Sequence, residues 1–213
     1  MKTTCYLIRH GQSLGNIQHR FLGHTDWDLT ELGHRQAACT AIAFADIPVD
    51  VIVASNLSRA RNTVAPLATL KCLPIRPEPG FREIFAGDWE GRTFEEIEAR
   101  YPAAYHCWRE NIGHAETPGG ETVLQLYDRV SDALRRTAEA HPGKTIVIAT
   151  HATPIRLLMT ALSGRSIEDA ANTPWVSNAS VTKLVLEDGV WTIEYADRHD
   201  HLGALSTTLP ANV

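Results

Sequence analysis

Two apolar, β-branched runs of this chain each end in a histidine. Leu7-Ile8-Arg9-His10-Gly11 and Ile148-Ala149-Thr150-His151-Ala152 deliver an imidazole just past a strand-like stretch. A third run ends in Ala54-Ser55-Asn56-Leu57-Ser58-Arg59, which puts a guanidinium at the start of a predicted helix. In open α/β sheets functional groups collect outside the carboxyl ends of the strands, so His10, His151, Arg9 and Arg59 can share one crevice. Such a set suits phosphate, because arginines match its oxygens with paired donors. Thr153-Pro154 reads as an N-cap and first helical residue, with Gly164 as the stop, so a positive helix end opens beside His151 and Ala152. A neutral imidazole is a competent nucleophile near neutral pH. His10 is the candidate, since Gly11 permits close backbone approach and Ser13 and Asn16 add polar contacts. Glu83, in Phe81-Arg82-Glu83-Ile84, lies between apolar residues. Partial burial there raises a carboxyl toward the range of a general acid for a departing alkoxide.

The elements that must hold these residues alternate between short buried strands and longer helices, the pattern of an α/β sandwich. Strands are predicted at 5–8, 50–54 and 145–149, all with the continuous apolar character of parallel strands covered on both faces. Val181 to Glu187 and Val190 to Tyr195 flank the turn signal Asp188-Gly189, which predicts an antiparallel hairpin and so a mixed sheet. Thr30 reads as an N-cap, with Ala38, Ala41, Ile42 and Ala45 at helical spacing behind it. Thr93 with Glu96 and Thr122 with Gln125 fit capping boxes, the second opening a helix with Val123, Tyr127, Val130 and Leu134 on one side. Between them, from about 79 to 120, the chain is rich in Pro, Gly and aromatics. This segment reads as a cap inserted into a single domain spanning 1–213.

Composition excludes several classes. The 213 residues, 44% hydrophobic and 21% charged, describe neither a disordered nor a fibrous chain. A formal net charge of −5 without a dense Lys/Arg block speaks against nucleic acid and confines any anion site to one locality. No run approaches the ~18 apolar residues of a membrane span, and Met1-Lys2-Thr3-Thr4 leads straight into a strand, so a cytoplasmic location is expected. Cys5, Cys39, Cys72 and Cys107 lack metal-binding spacing and read as reduced thiols. The acceptor-like triplets Asn56-Leu57-Ser58 and Asn178-Ala179-Ser180 carry no expectation of glycosylation without a secretory signal.

Leu7-Ile8-Arg9-His10-Gly11-Gln12-Ser13-x-x-Asn16 resembles the Arg-His-Gly signature of the histidine phosphatases, the superfamily that includes the cofactor-dependent phosphoglycerate mutases. Leu29-Thr30-Glu31-Leu32-Gly33 and Ser55-x-Leu57-x-Arg59-Ala60-x-x-Thr63 are similar to its next blocks. Phe81-Arg82-Glu83 with Gly87-Asp88-Trp89-Glu90-Gly91 is similar to its acid block, Pro118-Gly119-Gly120-Glu121-Thr122 to its cap exit, and Thr150-His151 to its second histidine. The resemblance implies a three-layer α/β/α sandwich with a mixed, mostly parallel sheet. It also implies a phosphohistidine at His10, held by Arg9, Arg59 and His151 without a metal or other cofactor.

Three readings follow: a phosphomonoesterase acting on a small phosphorylated metabolite, a mutase, and a phosphate-binding protein without catalysis. A mutase resembling the glycolytic enzyme is expected to carry Glu-Arg-His-Tyr-Gly after the acid and a cationic cap. This chain has Glu83-Ile84-Phe85-Ala86-Gly87, and between Gly91 and Gly120 only Arg92, Arg100 and Arg109 against Glu95, Glu96, Glu98, Glu110 and Glu116. Hydrolysis is therefore the expected reaction, by a monomer or homodimer. Arg20 and Arg82 either touch the distal part of a substrate or pair with carboxylates, and Arg61 is expected at the surface. His199-Asp200-His201 lacks further ligands for a metal, and Trp89, Trp108 and Phe85 either line the pocket or form the cap's core.

Overall fold

The computed structural model describes residues 1–207. The first half runs β1 (Thr3–Arg9), α1 (Leu14–Ile17), α2 (Glu31–Ala43), β2 (Val51–Ala54), α3 (Ser58–Lys71) and β3 (Ile75–Pro77). The second runs α4 (Phe94–Arg100), α5 (Pro102–Glu110), α6 (Val123–Ala140), β4 (Thr145–Thr150), α7 (Ala152–Leu162), β5 (Val181–Glu187) and β6 (Val190–Arg198). Six strands make one sheet in the order β3-β2-β4-β1-β5-β6. β1, β2, β3 and β4 are mutually parallel, whereas β5 runs antiparallel to β1 and β6 to β5. The predicted hairpin turns at Asp188 and Gly189, both at positive φ (51° and 81°), the conformation a tight two-residue turn needs.

Alternation along the central strands builds the three layers. Cys5, Leu7, Val51, Val53, Ile146 and Ile148 point to one face, where Val130, Leu134, Ile155 and Leu158 of α6 and α7 cover them. Their neighbours Tyr6, Ile8, Ile52, Ala54, Val147 and Ala149 point to the other, against Ala41, Ala60, Val64 and Leu67 of α2 and α3. A strand whose successive side chains enter different cores must be apolar throughout, which is why these segments lack the polar alternation of half-exposed strands. Each fully buried Ile or Leu contributes roughly 1.5–3 kcal/mol relative to exposure.

Two elements depart from the sequence-based expectations. β3 went unread, since a three-residue edge strand ending in Pro77 carries almost no periodic signal. Helix α7 begins two residues early: His151, not Thr153, is its N-cap, and Pro154 is the third helical residue. Proline is tolerated there because N–H groups of the first turn have no intrahelical acceptor. The capping boxes at Thr93 and Thr122 form, as does the Thr30 cap on α2. The segment between β3 and α6 packs against the helices that cover the sheet. Its Trp89, Ile97, Tyr105, Trp108 and Ile112 pack with Val123 and Leu126 of α6 and Leu157 of α7.

Candidate active site

Strand register brings the histidines together. Arg9 of β1 pairs with Thr150 of β4, so the residues that follow, His10 and His151, leave adjacent strands side by side. The rings lie 5.3 Å apart between centroids, with planes inclined by 60°. His10 Nδ1 is 2.7 Å from the Gly11 carbonyl oxygen. A carbonyl only accepts, so Nδ1 carries the hydrogen and the Nε2 lone pair is free whenever the ring is neutral. Neutrality is enforced: burial, then the charges of Arg59 and Arg9, push the His10 pKa well below the ordinary imidazole value. Burial, Arg59 and His10 do the same to His151, whose Nε2 meets Ser55 Oγ at 2.9 Å.

The guanidiniums reach the same volume from two directions. Arg9 is anchored through Nη1 to the Val176 carbonyl. Arg59 donates to the carbonyls of Thr25 at 2.8 Å and Gly23 at 2.7 Å. Both are almost wholly buried, 3% and 1% exposed, and burial lowers each pKa to about 10, which leaves them charged at neutral pH. Arg9 Nε, Arg59 Nε, Arg20 Nε and His151 Nδ1 are buried with no hydrogen-bond partner among the described residues. Unpaired buried polar atoms are costly, and those of Arg9, Arg59 and His151, gathered at the strand ends, are the ones an anion would meet.

Glu83 lines the same cleft as Arg9, His10 and Arg59 and is partly buried. Its Oε1 accepts from the Ile84 N–H at 2.8 Å and its Oε2 from the Thr153 N–H at 3.3 Å. Burial raises its pKa above the ordinary carboxylate value against the opposing pull of those donors and of Arg59. A cleft of about 650 Å³, open to solvent, is lined at one end by Arg9, His10, Arg59, Glu83, Ala152 and Thr153, whereas His151 is fully buried and is not part of the lining. At the other end the cleft is lined by Phe21, Leu22, Phe94, Trp108 and Trp175, with Arg20 as a cation.

Other predicted residues divide. Ser13 and Asn16 line the cleft, but their side chains already cap α1 by bonding each other's backbone. Gly11 lies behind the site: a Cβ there would come within 2.8 Å of the Gly33 carbonyl, so the close approach is to α2 rather than to a ligand. Arg20 lines the cleft while donating to the Gly91 carbonyl at 2.6 Å, whereas Arg82 bonds Asn56 Oδ1 at 2.6 Å and is not part of the lining. Arg61 is exposed, Trp89 is core, Trp108 is both core and wall, and Phe85 is exposed beside His24. His201 is turned to Thr40 Oγ1, and among the described residues no group of His, Cys, Asp and Glu is arranged to hold a metal ion.

Several contributors were not foreseen. Thr63 Oγ1 accepts the Gly11 N–H, and Asn178 Nδ2 donates to the His10 carbonyl at 3.1 Å, so the triplet set aside as a glycosylation signal buttresses the nucleophile candidate. Glu90 accepts from the N–H groups of His24 and Thr25 and fixes the loop whose carbonyls hold Arg59. Glu90 and Thr63 fall inside blocks noted for their resemblance, which was the one available signal. Asn178 and Trp175 had none.

Two imidazoles held neutral and two buried guanidiniums stand together at the carboxyl ends of the parallel strands of an α/β sandwich. The profile of the histidine phosphatase superfamily (branch 1) matches residues 5–198, and the chain belongs to that superfamily. It is 32% identical over 200 residues to the uncharacterized phosphatase PhoE of Bacillus subtilis, covering 94% of this chain and 97% of that one. It is also 34% identical over 158 residues to phosphoserine phosphatase 1 of Hydrogenobacter thermophilus, covering 74% and 75%. The solved structure of Bacillus stearothermophilus YhfR superposes with a TM-score of 0.91 at 28% identity, covering 94% of this chain and 99% of that one. The fold is the phosphoglycerate mutase-like architecture, and membership of the superfamily together with relatives named as phosphatases makes this chain a phosphoric monoester hydrolase.

Proposed function

We propose that the chain hydrolyses small phosphomonoesters through a phosphohistidine on His10, with Glu83 as the proton donor. The observation that carries this reading is the His10 Nδ1 contact to the Gly11 carbonyl in a ring kept neutral by its neighbours. It leaves one nucleophilic nitrogen, Nε2, on a residue that lines the cleft with Arg9 and Arg59. Nε2 attacks phosphorus, the bond to the ester oxygen breaks, and protonated Glu83 gives its proton to that oxygen. The Glu83 carboxylate then takes a proton from water, whose oxygen attacks phosphorus as the P–N bond breaks, releasing phosphate and restoring both groups. Arg9 and Arg59 neutralise the charge that accumulates on the phosphoryl oxygens, and the neutral His151 and the positive end of α7 add hydrogen-bond donation to them.

The far end of the cleft supports a substrate whose body beyond the phosphate is neutral and largely apolar. Aromatic rings and Leu22 dominate there, and Arg20 is already engaged with Gly91. A strongly anionic body, such as that of a bisphosphate, finds little to receive it. The site is complete within one chain, so monomer and homodimer serve equally, and the free cysteines suit a reducing, cytoplasmic setting.

Rapid quenching with labelled substrate is expected to trap acid-labile, base-stable phosphate on the wild-type protein and none on His10→Ala. Undiminished label on the variant would remove His10 from the role.

A further inference from the structure

Glu83 stands on a stretch with little regular structure of its own, between the 3-10 turns Pro79–Phe81 and Gly87–Trp89. A general acid must meet the leaving oxygen within hydrogen-bond reach, which a loop does not secure unaided. Here the fixing comes from α6. Arg129 Nε and Nη2 fork onto the Glu121 carboxylate at 2.9 and 2.8 Å. Its Nη1 donates to the carbonyls of Gly80 at 3.0 Å and Arg82 at 3.1 Å, and Nη2 donates to the carbonyl of Glu83 itself at 3.1 Å. A guanidinium has five N–H groups in a rigid plane, and these contacts use all of them.

Glu121 completes the arrangement. Its Oε2 also accepts from the Phe85 N–H at 2.8 Å, and its own N–H donates to the Phe85 carbonyl at 2.9 Å. The segment is thereby gripped at Gly80, Arg82, Glu83 and Phe85, on both sides of the acid. His24 Nε2 adds a contact to the Glu83 carbonyl at 3.0 Å. Burial pushes the Glu121 pKa up, but bonds from Arg129 and Phe85 outweigh it and hold the carboxylate below its ordinary range, charged throughout the neutral region. Neither Arg129 nor Glu121 lines the cleft.

We propose that Arg129 and Glu121 are positioning residues for proton transfer: by fixing the Gly80–Phe85 backbone they set where the Glu83 carboxyl stands relative to the leaving oxygen. The proposal rests on the reading of Glu83 as the acid. Lysine cannot replace the guanidinium, since one ammonium offers a point charge without the planar fork.

The test compares Glu83→Gln, Arg129→Lys, Glu121→Gln and each clamp variant combined with Glu83→Gln, on a simple alkyl phosphate and on p-nitrophenyl phosphate. The comparison is made on phosphohistidine formation in single turnover, since breakdown of the phosphohistidine, in which the Glu83 carboxylate accepts a proton from water, is common to both esters. In the forming step the aryl ester leaves without help from an acid and reports everything except proton donation. Arg129→Lys is expected to slow phosphohistidine formation from the alkyl ester by roughly tenfold to a hundredfold, with substrate affinity and the same step on the aryl ester within about threefold of wild type. In the Glu83→Gln background the same substitution should change this step on the alkyl ester by less than about threefold, because the group it positions is gone. Should Arg129→Lys fail to fold, Glu121→Gln, which keeps the side-chain shape and weakens the fork, carries the same expectations. Equal losses on both esters, or losses that multiply with Glu83→Gln, would overturn the clamp. Equal losses from Glu83→Gln alone would instead overturn the acid assignment on which it rests.

Discussion

Thr63 offers the sharpest check on how the nucleophile candidate is held. It lies one turn beyond Arg59 on α3, fully buried, and its hydroxyl donates to the Arg59 carbonyl at 2.7 Å while accepting the Gly11 N–H at 2.9 Å. The carbonyl of Gly11 receives His10 Nδ1. One hydroxyl thus ties the helix carrying Arg59 to the residue that sets the His10 tautomer. Thr63→Val keeps the side-chain volume and replaces the oxygen with a methyl group, so the buried Gly11 N–H loses its acceptor. A buried unsatisfied donor costs about 1–3 kcal/mol. At about 2–4 °C per kcal/mol for a chain of this size, Tm should fall by roughly 2–12 °C. Thr63→Ser retains the hydroxyl and loses one methyl group, which costs about 1 kcal/mol. Thermal unfolding followed by circular dichroism should rank wild type above Ser and Ser above Val. In single-turnover experiments Val should also slow formation of the acid-labile intermediate by roughly tenfold, since a loosened Gly11 peptide misaligns the ring. A valine variant as stable as the serine variant, or one with an unchanged burst, would refute the reasoning.

Two further outcomes are expected. Hydrolysis needs His10 neutral and Glu83 protonated; the first pKa is lowered and the second raised, each chiefly by burial, so the active window lies between an acidic limb from His10 and a basic limb from Glu83. The ratio of wild-type to Glu83→Gln rates of phosphohistidine formation cancels the ionisation of the substrate phosphate and should fall as pH rises through the Glu83 pKa; a ratio independent of pH would count against the assignment. Incubated with 3-phosphoglycerate and the bisphosphate primer in buffer with excess chelator, the protein should form 2-phosphoglycerate more slowly than it releases phosphate from its best monoester. Isomerisation outpacing hydrolysis would favour the mutase reading.

The layers were legible in the sequence because each central strand serves two cores and must be apolar at every position, as in Val51 to Ala54 and Ile146 to Ala149. The histidines and arginines were legible because strand-end placement is a local property. The start of α7 was misread because Thr153-Pro154 imitates a cap when only neighbours are weighed; the extended backbone of His151 decides it, and that follows from where β4 ends. Trp175 and Asn178 were illegible for a different reason. They reach the site from the connection between α7 and β5, by packing over Arg156 and by bonding the His10 carbonyl, and neither contact leaves a periodic trace.

The shared core beneath the cleft bears on how such a protein could be redesigned. Trp89, Ile97, Tyr105 and Trp108 interlock with Val123, Leu126 and Leu157, side chains of the same helices that cover the sheet. Exchanging residues 85–117 for the equivalent stretch of a relative would strand those partners against a foreign surface. Each large side chain left without its match there costs about 2–5 kcal/mol. Single replacements at Phe94 or Trp175, which are only partly buried and face the opening, avoid that penalty. Laboratory selection for altered substrate preference should therefore accumulate point changes along this rim, while transplanted segments are recovered only together with compensating changes in α6 and α7.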